Sequence, residues 1–366
     1  MLLVTGSPLA VKALTVELED GAPLGRLFDM DVFYPEGTKV ERQELGFPER
    51  KCLICENNAK VCARSRTHTV EALRQQTQNI LREAICQNLC TRTAELATRA
   101  LLYEASTTPK PGLVDRQNSG SHRDMDIFTF QSSAAALWPY FYRCTQIGVE
   151  TRDASPEETF AALRPAGKQA EEAMLRATSG VNTHKGAIFS LGILCGAVGR
   201  LMGESNPQTL LSQCSAMARG LISRDYANLT EETAKTAGQR LYLQYGIPGV
   251  RGQAEAGFPT VEAVGLPKLE AALALGKSIN EAGCAALLAM LADTVDTNMI
   301  HRGGYGRAMA VREDISRLLE NDPFPNEETM NRLDEAFIRE NLSPGGTADL
   351  LAMVYLLHFL KEEAHV

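Results

Sequence analysis

Two hydrophobic rhythms divide this chain. In roughly the first seventy residues, Leu14-Thr-Val-Glu-Leu-Glu19 alternates apolar and polar positions, the period of a half-buried strand. Gly25-Arg-Leu-Phe-Asp-Met-Asp-Val-Phe33 reads as a second strand carrying two acids, Pro35-Glu-Gly37 as a turn, and Gly46–Arg50 as the lead into a cysteine-containing loop. From Thr69 the spacing becomes helical, with Val70, Leu73, Ile80, Leu81, Ile85 and Leu89 recurring at three- and four-residue intervals. Further helices are predicted over Pro156–Ala177, Gln208–Ser223, Thr230–Tyr245, Pro267–Asn298, Arg307–Glu320, Glu327–Glu340 and Thr347–Glu362. Gly276 and Gly283 can split the fourth of these into two. The expected class is mainly α: an all-α multi-helix domain at 79–366, preceded by a small α+β fragment at 1–78. The boundary falls inside a helix near residues 75–85.

Charge narrows the partners. Lys and Arg number 37 against 45 Asp and Glu, a formal net charge of −8, which argues against a nucleic-acid surface but leaves room for a local basic pocket. The longest apolar runs, Gly186–Gly199 and Cys284–Ala292, fall short of the ~20 residues that span a bilayer, and no signal peptide is visible at the N-terminus. Nine cysteines, mostly inside helical patterns, suit free thiols in a reducing cytoplasm rather than a disulfide framework.

Five glycine-punctuated segments carry the candidate chemistry. Gly180-Val-Asn-Thr-His-Lys-Gly186 precedes a helix of small residues, with Asn182 or Thr183 as its cap. The unpaired N–H groups of that first turn, with Asn182, His184 and Lys185, make a phosphate seat, although a plain capped helix with solvated side chains would read the same. It is not a Walker A loop, because the lysine comes before the glycine. The stretch Thr107–Asp126 is barred from helix by two prolines and Gly112, and it concentrates Lys110, Asp115, Arg116, His122 and Asp124. The aromatic and alanine run that follows suggests that this loop is anchored on the core. At Leu287–Gly304 a nearly all-apolar helix ends in Asp293 and Asp296, three apart on one face, followed by Arg302. Carboxylates there oppose the helix dipole, so a salt bridge to Arg302, a metal or a cationic transition state should offset them. Ser343-Pro-Gly-Gly-Thr347 offers a second helix N-terminus open to an anion, with Gly345 and Gly346 before a Thr347 cap. Tyr245–Glu255 adds a glycine-rich loop with Arg251. Finally, Cys52, Cys55, Cys62 and His68 are ligand types that suit zinc, though the spacing to Cys62 is short for such a site.

The collinear set Pro109–Asp115, Ser121–Met125, Gly180–Gly186, Asp293–Arg302 and Ser343–Asp349 resembles the triphosphoribosyl-dephospho-CoA synthase family, from about residue 85 to the C-terminus. The resemblance implies an all-helical fold that joins ATP to 3′-dephospho-CoA and expels adenine, with Mg²⁺ accompanying ATP. The product is the precursor of the prosthetic group of citrate lyase or of malonate decarboxylase. Gly25–Val32 and Arg50–His68 are similar to the C-terminal half of apo-citrate lyase phosphoribosyl-dephospho-CoA transferase, which loads the acyl carrier subunit. That likeness implies a metal-binding role for Asp29 and Asp31. The first half of that enzyme is not represented, so transferase activity is not expected from this fragment.

The implied reaction converts a β-configured nucleotide into an α-glycoside, hence a single inverting displacement through an oxocarbenium-like transition state flanked by carboxyl groups. Asp293 or Asp296 is expected as base or oxocarbenium stabiliser. Asp115, His122 and Asp124 are expected to serve the leaving group or metal. Lys110, Asn182, His184, Lys185, Arg251 and Arg302, with the Gly345 and Gly346 backbone, are expected to hold substrate or phosphate. The rival readings are an ATP N-glycohydrolase and a non-catalytic binding module in citrate lyase maturation.

Overall fold

In the computed structural model, which describes residues 6–363, the chain forms two compact units that divide between Asn88 and Leu89. The first contains α1 (Pro8–Gly21), α2 (Ala59–Ser65) and the beginning of α3 (Val70–Ser106), with short 3₁₀ turns at Gly25–Leu27 and Arg42–Leu45. Among the described residues it has no strand, only the isolated bridges Phe33–Lys39 and Lys51–Asn58. The α+β expectation for this fragment is therefore corrected. Leu14–Glu19 lies within α1, where burial falls on Lys12, Val16 and Glu19, an i, i+4, i+7 stripe. Its residues satisfy both periods, and Pro8 at the first helical position favours the helix. The expected second strand is a 3₁₀ turn followed by extended chain whose ladder is one bridge, because no partner strand exists to continue it.

Little apolar material is buried here. Val16, Val40, Cys52 and Cys62 are the buried apolar side chains among the described residues of this unit. Polar ties do much of the holding: Arg42 donates to Glu19 at 2.6 Å and to Asp20 at 3.0 Å, and Lys12 Nζ donates to the Met30 carbonyl. The periodic apolar residues Val70, Leu73, Leu81 and Ile85 do form helix, yet they lie exposed, and burial along α3 starts at Cys90.

The second unit is helical throughout. It continues α3 and adds α4 (Ile127–Glu150), α5 (Pro156–Ala177), α6 (Lys185–Arg200), α7 (Pro207–Ala218), α8 (Leu221–Tyr226), α9 (Ala237–Tyr245), α10 (Val250–Glu255), α11 (Leu266–Ala274), α12 (Ile279–Asp293), α13 (Thr297–Gly303), α14 (Tyr305–Asn321), α15 (Glu327–Arg339) and α16 (Gly345–Glu363). The helix expected at Pro156–Ala177 forms with those ends, because Ser155 and Glu158 make a capping box around Pro156. The stretch expected as one or two helices at Pro267–Asn298 is α11, α12 and the start of α13.

Helices α6 and α16 are buried on nearly every side and form the spine of the core. Around α6 pack α4, α5, α7 and α16. The small-residue sequence of α6 is what permits this. A Cβ on Gly199 would stand 2.0 Å from the Thr145 carbonyl oxygen, and one on Gly148 of α4 would stand 2.2 Å from that of Gly196. The backbones of α4 and α6 are thus in contact, and α6 is held rigidly with its N-terminus facing a cavity. The Thr107–Asp126 segment is also built in: Thr107, Lys110 and Asp115 are buried, and the expected anchoring on the core is what the structure has.

Candidate active site

A cavity of about 920 Å³ opens in the second unit where the N-termini of α6, α13 and α16 converge with the Thr107–Asp126 segment and the Gly246–Gln253 loop. Lys110, His122, Asp124, Asn182, His184, Lys185, Asp293, Asp296, Arg302, Gly345 and Gly346 all line it, although they come from segments up to 236 positions apart. Asp115 and Arg251 do not.

Asp296 ties two helix starts together. Its Oδ1 accepts from the Asn298 and Met299 N–H groups as the N-cap of α13. Its Oδ2 accepts from the Thr347 N–H at 2.7 Å and the Thr347 hydroxyl at 2.8 Å. Four donors occupy the four lone-pair directions of the carboxylate. At the α16 terminus expected to be open to an external anion, Asp296 therefore takes the Thr347 N–H. Gly345 and Gly346 permit this approach: a Cβ on Gly345 would meet Asn298 Nδ2 at 2.6 Å, and one on Gly346 would meet Asp296 Oδ2 at 3.1 Å. Thr347 lies inside the helix rather than at its cap.

On the more open side, Arg302 donates to the Ser121 carbonyl, to Asn341 Oδ1 and to His122 Nδ1. A guanidinium only donates, so Nδ1 accepts and the Nε2 proton of His122 faces Ser343 Oγ at 3.0 Å. Burial and the adjacent Arg302 lower the pKa of His122, so the ring stays neutral near pH 7. Arg302 forms no ion pair among the described residues, and burial lowers its own pKa. Asp124, exposed on the same wall, has a free carboxylate. Asp126, two residues on, caps α4 through the Thr129 N–H.

The buried side is acidic. Lys110 Nζ binds Glu104 Oε1 at 2.5 Å and the Glu104 carbonyl at 2.7 Å, with both side chains almost fully buried. Its charge is therefore already answered. Lys185 pairs with Glu171 at 2.8 Å. His184 gives Nδ1 to Ser133 Oγ at 2.7 Å, while its buried Nε2 has no partner. Burial, with Lys110 nearby, pushes its pKa down to about 3, so His184 acts here as a neutral hydrogen-bonding group, not a cation for phosphate. The Thr183 hydroxyl, also on the cavity wall, is likewise unpartnered.

Sequence reasoning passed over Glu104 and Asp349. Asp349 keeps partial exposure into the cavity, but protein crowds its carboxyl. Burial, the neighbouring Glu104 and Asp296 raise its pKa well above the ordinary aspartate value, against the opposing pull of the Ala187 N–H. A Cβ on Gly186 would sit 1.9 Å from Asp349 Oδ2, so glycine is what lets this carboxyl reach the first turn of α6. The available signal was Asp349 closing the Ser343–Asp349 motif. Asp293 is exposed at the end of α12; Oδ2 accepts from Thr260 Oγ1, itself held by Gln253, and Oδ1 is open.

Several expectations change. Asp115 is spent on its own loop, accepting from the Lys110, Gln117 and Asn118 N–H groups away from the cavity. Arg251 turns out to Asp225 at 2.8 Å and over the Tyr226 ring. Its loop instead lines the cavity with Gly246–Val250, Gly252 and Gln253. In the first unit Asp29 pairs with Arg50 and Asp31 with Lys39, so each acid of the expected metal pair has its own cation. Both nevertheless line one cavity of this unit, together with Arg26, Arg42 and Lys12. Cys52, Cys55, Cys62 and His68, in contrast, do come together.

Residues 90–365 match the family described as ATP:dephospho-CoA triphosphoribosyl transferase (CitG). The chain belongs to that family. Residues 1–84, at its N-terminus, match apo-citrate lyase phosphoribosyl-dephospho-CoA transferase (CitX). The chain is 36% identical to Protein CitXG of Haemophilus influenzae, over 95% of this chain and 77% of that protein. It is also 36% identical to Protein CitXG of Leuconostoc mesenteroides, over 97% and 79%. Identity to the 2-(5″-triphosphoribosyl)-3′-dephosphocoenzyme-A synthase of Pectobacterium atrosepticum is 43%, over 72% and 87%. No solved structure matches. The part matched to the triphosphoribosyl transferase family is the helical unit that holds the cavity. No helix among the described residues is long and apolar enough to cross a membrane, and none of the nine cysteines forms a disulfide.

Proposed function

We propose that this protein joins ATP to 3′-dephospho-CoA, releasing adenine and leaving 2′-(5″-triphosphoribosyl)-3′-dephospho-CoA. The observation that carries the reading is a pair of carboxyls lining one cavity in contrasting environments: Asp293 exposed with an open oxygen, and Asp349 crowded by protein, where burial and the neighbouring Glu104 and Asp296 raise its pKa. Environments that push two carboxyls apart are how one site supplies both base and acid. Asp293 takes the proton of the ribose 2′-OH of dephospho-CoA as its oxygen forms the bond to C1′ of ATP. The C1′–N9 bond breaks, and Asp349 gives its proton to a ring nitrogen of the departing adenine. Attack and departure on opposite faces give inversion. The unpartnered His184 Nε2 and Thr183 hydroxyl are groups that a bound base would satisfy. Arg302, His122 and Asn182 hold the polar remainder.

Mg²⁺ fits as the companion of the triphosphate: it binds through one or two carboxylates plus phosphates, and Asp124 offers a free exposed carboxylate beside Arg302. When bound it would neutralise triphosphate charge. The nine free thiols suit work in the cytoplasm. The client of the product is the acyl carrier subunit of citrate lyase.

The test is chromatography and mass measurement after incubation with ATP, Mg²⁺ and 3′-dephospho-CoA. Adenine should appear in equal amount with the coupled product. Brisk adenine release from ATP alone would make the protein a glycohydrolase instead. In the variants, Asp293→Asn should remove the acidic limb of the kcat/KM profile, which needs an ionised base, and Asp349→Asn the alkaline limb, which needs a protonated acid. Unchanged limbs would reassign these roles.

A further inference from the structure

The geometry points to a structural zinc site in the first unit, formed by Cys52, Cys55, Cys62 and His68. All four donor atoms lie within 4.8 Å of one another. Cys55 Sγ stands 3.6 Å from Cys62 Sγ, and His68 Nε2 stands 3.3 Å from Cys55 Sγ. With Zn–S about 2.3 Å and Zn–N about 2.0 Å, a tetrahedral site has S···S edges of about 3.8 Å and S···N edges of about 3.5 Å. The Cys55–Cys62 and His68–Cys55 separations lie within about 0.2 Å of those edges, and none of the three cysteines forms a disulfide.

The backbone presents the ligands independently of any metal. Cys52 and Cys55 sit on a tight turn closed by the Lys51–Asn58 bridge, with the Cys52 N–H donating to the Asn57 carbonyl. The Ile54 N–H points at Cys52 Sγ at 3.5 Å, the kind of donor that supports a metal-bound thiolate. Asn58 then caps α2, which carries Cys62. Arg66 takes a left-handed conformation (φ 48°) that ends α2, and the Thr67 N–H returns to the Cys62 carbonyl, which brings His68 back to the cluster. The short Cys55–Cys62 spacing is accommodated because the capped helix starts directly after the turn.

The unit also needs a staple. Among its described residues, two of the four buried apolar side chains, Cys52 and Cys62, belong to this cluster, and there is no sheet. A small domain with so little core commonly relies on a metal. Four protein ligands leave no open position, which assigns the site to structure rather than chemistry. The inference is independent of the proposed transfer reaction.

The test uses the full chain, purified without chelator and dialysed. Metal analysis should give about one zinc per chain, lost in Cys62→Ala and in His68→Ala but retained in Cys86→Ser, whose thiol lies outside the cluster. Because the first two variants could simply unfold, the parent protein is also exchanged into Co²⁺. A tetrahedral ligand-field spectrum with thiolate-to-cobalt charge transfer is the expected result. Absence of zinc from the parent, its full retention in Cys62→Ala, or an octahedral cobalt spectrum overturns the site. A metal-free parent with Cys55 and Cys62 joined in a disulfide does so as well.

Discussion

Replacing Asp296 with Asn is the sharpest perturbation of the site. The amide oxygen can keep the two N–H groups of α13. Its NH₂ then faces the Thr347 N–H, which loses a 2.7 Å bond to a charged acceptor, while the Thr347 hydroxyl can rotate to accept. The Thr347 N–H retains only a 3.1 Å contact to the Pro344 carbonyl. One charge-assisted hydrogen bond is worth about 1.5–3 kcal/mol, and the donor left facing a donor adds to that, so the cost should be about 2–4 kcal/mol. At roughly 2–4 °C per kcal/mol for a domain somewhat smaller than this unit, the helical melt should fall by about 5–10 °C. Asp296→Ala, which abandons all four donors, should fall further. Circular dichroism melts of the two variants measure this directly. The reasoning is refuted if Asp296→Asn melts within about 1 °C of the parent. If it also loses adenine release, Asp296 acts on substrate instead of tying α13 to α16.

Two further outcomes follow from the same geometry. His184 is held neutral with its pKa at about 3, whereas an unfolded histidine titrates near 6.5, so the unfolded chain takes up a proton on acidification that the folded chain refuses. Stability present above pH 6.5 is therefore lost toward pH 3, by about 2 kcal/mol between pH 7.5 and 5, and urea midpoints of His184→Gln should lose correspondingly less over that interval. Gly186→Ala puts a methyl 1.9 Å from Asp349 Oδ2 and should lower kcat about 10²-fold with helicity intact; wild-type turnover would show that the Asp349 position is immaterial.

What could be read from the sequence followed the range of the interaction. Helices with local punctuation were legible: Ser155, Pro156 and Glu158 announce α5, and its ends fall where expected. The gathering of Lys110, His122, His184, Lys185, Asp293, Asp296 and Arg302 around one cavity was anticipated from glycine-marked loops. What failed were partnerships. Nothing in Ser-Pro-Gly-Gly-Thr-Ala-Asp says that its threonine is already bonded to a carboxylate 51 positions earlier. Lys110 looks like a free cation until Glu104, one helix end away, is seen to hold it. Leu14–Glu19 fits both periods, so only packing chooses helix over strand.

Those partnerships also explain how an acidic cavity can accept a triphosphate. Glu104, Asp124, Asp293, Asp296 and Asp349 line it. Lys110 and Lys185 are paired with Glu104 and Glu171, which leaves Arg302 as a cavity cation with no carboxylate partner. Such a wall binds the anionic ground state poorly, so ATP must bring its own counter-charge. As the C1′–N9 bond lengthens, positive charge grows on the ribose, and Asp293, whose Oδ1 is open, is the carboxylate we propose to meet it. The interaction is therefore stronger in the transition state than in the bound substrate, which is the condition for it to raise kcat rather than merely lower KM. A site lined with free lysines would hold ATP more tightly and oppose the cation it must form.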